Sequence, residues 1–408
     1  MSSEPFQPDL YDYAFECDPV PTLARLREED PVHWSRHGFW YLTRYDDVVA
    51  VLQDPKRFSS AAAGFGTSSI AKSSSERASE EKSFKRSLAA SFNQMDPPDH
   101  TRIRLLVNSA FSRRQVEERR GRILEVIGEL VAGMKKKSQF DLVTDFAFHL
   151  PIIVASEIIG IPTVDRERFR VAFEDSSALL APKRSEESWA KGLAAARWIG
   201  GYIKALIAER RAAPADDLLT ALIAAEEEGS RLNEAEMTSA ISTIYNAAGT
   251  TTERMISSGL FILLSHPEQW KAVRTDRSLI AGAVEEILRF HHPLQSTTTN
   301  RRATENVMMR GKTIRAGDTV RVGLGAANRD PERFPDGDRF DIRRKPSVPI
   351  LSFGTGPHFC IGSALARFEG QLAIEAIATQ LPNIRLITTA PIKDPRRTDR
   401  YHEILAAA

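Results

Sequence analysis

Between Pro31 and Thr43, apolar side chains flank a turn. Val32 and Trp34 lead into Arg36-His37-Gly38, and Phe39, Tyr41 and Leu42 lead out, which predicts a β-hairpin. Tyr45 to Leu52 then predicts a short helix. Ser59 to Ser91 is rich in Ser, Ala and mixed charge, with little periodicity, and reads as a long loop. Loops beyond about 12–15 residues are usually lids or disordered segments, and a plain surface loop is an equal alternative here. From Pro97 to Leu288 the period is helical almost throughout. Pro97-Pro98 suits a helix start. Asn233 with Glu236 three residues on resembles a capping box, and an unbroken pattern follows to about Ser265, stopped by Pro267. At 1.5 Å per residue that is a rod of roughly 50 Å. After Arg289 the period shortens. Thr297 to Arg302, Val307 to Met309 and Thr319 to Val322 are strand candidates between turn residues. A last helix, Gly362 to Leu381, precedes short strands around Ile384–Ile387 and His402–Leu405. The pattern predicts a mainly α protein with small β-sheets.

Composition narrows the function. The 408 residues show no linker-like break, so they read as one large domain, 1–408. Lys and Arg number 55 against 54 Asp and Glu, a balance that gives no reason to expect nucleic acid or an anionic membrane as a partner. The polar, acidic start from Met1 to Asp18 is no signal peptide, and no run reaches the ~18 apolar residues of a membrane span. Leu150 to Ile161 is the longest apolar run, and it reads as a buried helix. The expected place is the cytoplasm. Cys17 and Cys360 are the only cysteines, and neither Cys-x-x-Cys nor His-Glu-x-x-His occurs, which argues against zinc.

The chemistry concentrates in Phe353-Gly354-Thr355-Gly356-Pro357-His358-Phe359-Cys360-Ile361-Gly362. Two glycines and a proline pre-bend a tight loop. Cys360 stands just before a helix whose apolar face is Ile361, Leu365, Phe368, Leu372 and Ala376. A helix start favours a thiolate, but only by about 0.3–1 kcal/mol. That is under one pKa unit for a group that titrates near ~8.5. A metal deprotonates a bound sulfur outright, so the loop suits a metal or haem ligand better than a free nucleophile. A lone cysteine is more often a structural thiol; here the whole loop decides. It resembles the haem-binding signature Phe-Gly-x-Gly-x-His-x-Cys-x-Gly of the cytochrome P450 family, with every fixed position filled.

That resemblance extends over nearly the whole chain. It implies the cytochrome P450 fold, a haem b cofactor and Cys360 as the iron ligand, within a loop that includes Phe353, Gly354 and Gly362. Glu286 and Arg289 form Glu-x-x-Arg, a pair worth only ~0.2–0.5 kcal/mol when exposed. By resemblance they join a further arginine, assigned to Arg339 in Asp338-Arg339-Phe340, in a buried structural triad. His100 and Arg104 lie four residues apart on one helix face, suited to a carboxylate. The family likeness of Asp96 to Arg104 makes them haem-propionate ligands, with Arg301 and His358 at two further such positions. Taken singly, each is equally a surface cation.

Ala247-Ala248-Gly249-Thr250-Thr251-Thr252-Glu253 falls mid-way along the long helix. Gly and Thr are poor helix-interior residues, and a Thr hydroxyl bonded back to a carbonyl bends a helix. The segment is similar to the family's oxygen-binding groove. Ala248 then faces the haem, Gly249 leaves room for dioxygen, and Thr252 matches the threonine of proton delivery. Thr251 stands where the family carries an acid. Glu253 is turned away by about 200° and does not replace it; Thr251, ordered water or the substrate is left to carry the proton.

What the resemblance implies is monooxygenation of a small organic substrate by dioxygen, with electrons from a separate ferredoxin or flavodoxin-type donor. Arg113 and Arg114 offer a docking patch, with a solvated basic run as the plain alternative. By resemblance the pocket draws on the Ser59–Ser91 loop, on Tyr245 and Ala248, on Leu294, Ser296, Thr297 and Thr298, and on a turn at Thr398-Asp399. Its polarity points to a terpenoid, steroid or polyketide. Other readings are a peroxide-using haem-thiolate enzyme, a haem-thiolate isomerase, and a non-enzymatic haem sensor.

Overall fold

The long helix begins where its capping pattern says it should. Asn233 Oδ1 accepts the Glu236 N–H at 2.9 Å, and a Glu236 carboxylate oxygen accepts the Asn233 N–H at 2.9 Å. Two of the donors that a helix start leaves orphaned are thereby satisfied. The helix runs Glu234–Leu264 without a break. The α-helix is continuous through Gly249 and its threonines despite their poor propensity.

The computed structural model describes residues 6–61, 91–108, 111, 113–177, 179, 185–227, 232–297, 299–390, 393–394 and 397–408. The chain divides into two compact units. One comprises Met1–Ser59, Val116–Pro151 and Thr250–Ala408, the other Ser60–Gln115 and Ile152–Gly249. The division falls inside the long helix. Of the expected Ser59–Ser91 loop, only residues 59–61 and 91 are described.

The first unit holds the sheets. Its largest orders the strands Val32–Ser35, Phe39–Leu42, Thr319–Val322, Arg301–Ala303 and Phe58–Ser59. The first two form the expected hairpin, with Trp34 opposite Trp40. Trp40 pairs with Val320 in parallel, and Arg301 pairs with Val320 from the other side in antiparallel. A three-stranded sheet joins Phe140–Asp141, Leu405–Ala407 and Arg385–Leu386. Two expectations need correction. The strand placed at 297–302 is confined to Arg301–Ala303, because single bonds rather than a ladder hold the preceding residues. Thr398 and Asp399 lie in the strand Arg397–Tyr401, paired with Lys393–Asp394, and not in a turn.

The second unit is helical. Arg166–Ser177, Glu186–Ala212 and the first half of the long helix meet in an aromatic cluster. Phe169 stands edge-on to Tyr245 with ring centres 4.8 Å apart, and Phe173 lies 4.7 Å from the same ring. Such pairs add about 0.5–1.5 kcal/mol each beyond the area they bury.

A polar hub braces the first unit. Arg289 donates Nε–H to one Glu286 oxygen at 2.7 Å and an Nη2 proton to the other at 2.8 Å. Its remaining protons go to the carbonyls of Asn328, Gly337 and Arg339. Both side chains are almost wholly buried. The third arginine is Arg344, not Arg339. Arg344 Nε donates to Glu286 at 3.3 Å, whereas the Arg339 side chain is 69% exposed and turns to Asp341. Arg339 serves the hub through its carbonyl, which also accepts from Arg344. The turn from Asp336 onward points one side chain out and the other in.

Glu286→Gln strands a buried guanidinium and is expected to cost about 3–5 kcal/mol in denaturant unfolding. Arg339→Ala, by contrast, is expected to stay within about 0.5 kcal/mol.

The same unit holds further titratable groups: Glu369 and His292 are buried and His291 is half-buried. Burial pushes Glu369 up to about 8, and His291 and His292 down to about 3 and about 4. Below the ordinary histidine value of 6.5, the unfolded imidazoles take protons that the folded ones refuse, so stability falls with acid. From the ordinary carboxyl value of 4.5 up to about 8, folded Glu369 keeps a proton that the unfolded chain releases, so stability falls with base. The two effects oppose each other, the histidines weakening the fold toward acid and Glu369 toward base. Glu369→Gln is expected to remove the alkaline limb: its Tm exceeds that of the unsubstituted protein by several degrees at about pH 8.5 and matches it at about pH 5.

Candidate active site

The cysteine loop is held at both ends. At its entry, Asn328 Oδ1 accepts the Leu351 N–H at 2.7 Å, and Asn328 Nδ2 donates to Ser352 Oγ at 2.9 Å. Ser352 Oγ in turn donates to the Leu288 carbonyl at 2.8 Å. Gly354 and Gly356 then take φ of 67° and 74°, a region that side-chain-bearing residues avoid. Gly356 has a second reason to be glycine: a Cβ there would run into the Leu52 carbonyl and come 3.0 Å from Gln53 Cα. A short 3-10 turn, Gly356–His358, leads to Phe359. The Cys360 N–H closes the loop onto the Phe353 carbonyl at 2.9 Å. Arg367, from the following helix Ser363–Gln380, lies 4.3 Å above the Phe353 ring and pairs with Glu285.

This clasp leaves Cys360 exposed. The helix starts three residues beyond it, at Ser363, so the helix end adds little to ionising the sulfur. Among the described residues, no group of three or more His, Cys, Asp or Glu stands ready to hold a metal ion. The loop has open space at two of its glycines: a Cβ on Gly354 or Gly362 would meet no atom within 4 Å. In the same unit Arg301 is buried and donates to the carbonyls of Thr299 and Asn300 at 3.0 and 3.2 Å, and His358 is half-buried. The thiol and the open space at the loop's glycines suit a flat, iron-bearing group.

The second unit carries the other cations of the sequence reading. On the helix Asp99–Asn108, His100 is buried and Arg104 half-buried. Arg114 is exposed, and the side chain of Arg113 lies outside the described residues. Along the long helix, Asn246 and Ala247 are exposed, Ala248 is half-buried and Gly249 is buried, with room for a Cβ at 3.5 Å from Ile152. Thr251 is half-buried and Thr252 is buried. Tyr245 sits in the aromatic cluster, where burial pushes its hydroxyl up to about 12. Leu294, Ser296 and Thr297 are half-buried in the first unit, while Thr298 and the side chain of Thr398 lie outside the described residues.

Sequence reasoning missed several polar residues. Glu253 and Arg254 are both buried, and Arg254 Nη1 donates to the Pro293 carbonyl at 3.1 Å. Charged residues inside a helix that crosses a core are the signal that was available for them. Glu369, in the helix that follows the cysteine, and Arg344 had no signal beyond their place on an apolar or turn-rich stretch.

The chain resembles known proteins over most of its length. The Cytochrome P450 family profile matches residues 38–380. The chain is 40% identical over 386 residues to cytochrome P450 107B1 of Saccharopolyspora erythraea, covering 93% of this chain and 92% of that one. It is 40% identical over 384 residues to the cytochrome P450 monooxygenase PikC of Streptomyces venezuelae, covering 91% and 86%. The solved structure of PksS, the cytochrome P450 of the Bacillus subtilis bacillaene polyketide synthase, matches with a TM-score of 0.86 at 32% identity, covering 98% of this chain and 99% of that one. The chain therefore belongs to the cytochrome P450 family of monooxygenases, oxidoreductases that carry a haem.

Proposed function

We propose that the chain, acting as one catalytic domain over residues 1–408, uses haem b to insert one atom of dioxygen into a C–H or C=C bond of a mid-sized organic substrate. The observation that carries this reading is the Phe353–Gly362 loop, which closes on itself through Cys360 N–H and leaves that cysteine exposed. A haem held there supplies dioxygen binding and O–O cleavage, which thiolate ligation favours. The chain's own residues bind and orient. Cys360 Sγ is the iron ligand, and Phe353, Gly354 and Gly362 shape its loop. His100, Arg104, Arg301 and His358 donate to the haem carboxylates, and Ala248 packs on the haem face. Gly249 keeps the helix surface free of a side chain where dioxygen must fit. Thr252 Oγ1 donates a hydrogen bond toward dioxygen. Thr251 Oγ1 orders the water that brings the next proton, in place of the family's acid.

Half-buried polar residues at Ser296 and Thr297 suit a substrate with polar groups. Leu294, Tyr245, Thr298 and Thr398 complete the proposed pocket. Among terpenoids, steroids and polyketides, the likeness to the P450 of a polyketide synthase favours the last. Electrons come from a separate ferredoxin or flavodoxin-type protein that docks at Arg113 and Arg114. The cytoplasm is the proposed place of work, with no nucleic acid or membrane partner; no described helix is long and apolar enough to cross a membrane. Thr251 in place of an acid also favours a second reading, turnover with peroxide, which delivers its oxygen already reduced. Peroxide outperforming dioxygen with a reductase, at equal haem content, would establish that reading.

Reduced under carbon monoxide, the protein is expected to give the Soret band near 450 nm that marks a thiolate-bound carbonyl complex, and Cys360→Ala to lose it. Thr251→Val is expected to lower the fraction of reductant that ends in product several-fold with little change in substrate affinity; unchanged coupling removes Thr251 from the proton path. Arg113→Glu with Arg114→Glu is expected to slow reduction by an acidic ferredoxin about tenfold at low salt and little at high salt, read by stopped flow.

A further inference from the structure

The residues from Pro293 to Thr297, the proposed substrate strap, have no ladder, yet each end of the segment is pinned. Arg254 Nη1 donates to the Pro293 carbonyl at 3.1 Å. The Gly325 N–H reaches the Gln295 carbonyl at 3.3 Å, and the Thr297 N–H reaches the Val322 carbonyl at 3.3 Å. Between these pins the Leu294 N–H donates to His292 Nδ1 at 2.8 Å. The other ring nitrogen, Nε2, lies 3.1 Å from the Ser352 carbonyl. These two partners fix the tautomer. Nδ1 accepts, so Nε2 carries the proton and donates, and the ring is neutral. Burial supports this state: His292 is 4% exposed and its pKa is pushed down to about 4.

Ser352 belongs to the segment that feeds the cysteine loop. Its hydroxyl is already fixed by Asn328 and Leu288, and Phe353 beside it accepts the Cys360 N–H. One imidazole therefore bonds the strap with one nitrogen and the cysteine segment with the other.

We infer that His292 is a positioning residue, a bridge that sets the substrate strap in register with the thiolate loop. The inference rests on the reading of Cys360 as haem ligand and adds to it a residue that touches neither haem nor substrate. It gives specificity a mechanical basis: the strap's distance from the iron is set from the cysteine side of the fold.

The two arms separate by substitution. His292→Asn keeps an acceptor at the Nδ1 position, His292→Gln keeps a donor at the Nε2 position, and His292→Leu keeps neither. Hydrogen exchange on protein freed of haem is followed in residues 293–297 and 350–356. Both segments are expected to exchange about fivefold faster in His292→Leu, the strap to be restored in His292→Asn, and the cysteine segment in His292→Gln. In the haem-loaded protein, 4-phenylimidazole, which reaches past the iron toward the strap, is expected to bind about fivefold more weakly to all three variants, and imidazole to stay within about twofold. Faster exchange confined to one segment in His292→Leu, no change in either, or an equal loss of both azoles would overturn the bridge. If His292→Leu fails to fold, the opposite restoration by Asn and Gln decides. A protein without the 450-nm band sinks the functional reading alone, because the exchange arm needs no haem.

Discussion

The Arg289 guanidinium has five protons and nowhere to send them but inward. Two go to Glu286 and three to main-chain carbonyls, those of Asn328, Gly337 and Arg339. A buried ion pair is a poor source of net stability, because desolvating both charges costs about what their attraction returns. Its value lies in geometry. The carbonyls it collects come from a stretch with almost no regular structure, residues 328–339, which a hydrophobic core cannot hold in one path. Glu286 extends the same control by accepting from the Asp341 N–H and from Arg344. Once Asn328 is fixed, its side chain fixes Leu351 and Ser352, and these deliver the chain into the cysteine loop. The position of the sulfur is thus inherited, bond by bond, from a guanidinium some seventy residues earlier in the chain.

That line of descent explains what the sequence discloses. Elements set by local chemistry are legible: the hairpin at Arg36-His37-Gly38, the capping box at Asn233, the helix opened by Pro97-Pro98, and the ten-residue cysteine loop. Each is decided within a dozen residues, by turn geometry, cap bonds or periodicity. The third arginine of the hub was not legible. Arg339, Arg343 and Arg344 are all within reach by sequence, and only the backbone path from Asp336 to Arg344 selects the one that turns inward. The same holds for the strap after Pro293, where apolar and β-branched residues suggest a strand but the partners are a histidine, an arginine and two isolated amides.

The long helix shows the opposite limit. Its Gly-Thr segment has the composition of a helix break, yet the α-helix is continuous from Glu234 to Leu264. Propensity differences of a few tenths of a kcal/mol per residue are small beside the apolar surface such a rod buries. Glu253 and Arg254 are buried in that same stretch, directly after Thr252. The sequence sets only the direction in which Glu253 turns; the packing makes it part of the interior. Side-chain direction around a helix turns Glu253 away from the face that carries Thr251, so the proposed role of Thr251 in proton delivery does not pass to Glu253.

The ionisation of the sulfur follows from the same interior. A positively charged histidine near a thiol lowers its pKa and makes a free nucleophile. Here the histidines that follow the hub helix are held neutral by burial, and His292 has both nitrogens committed to main-chain partners. Arg289 and Arg344 spend their charge on Glu286 and on carbonyls. Arg367 is paired with Glu285 and lies over Phe353. The cations that brace the loop are thus already engaged, and a helix that begins at Ser363 adds only a fraction of a pKa unit. In general it is a bonded metal that ionises a thiol outright, and the haem that the family carries is the group proposed to do so at Cys360.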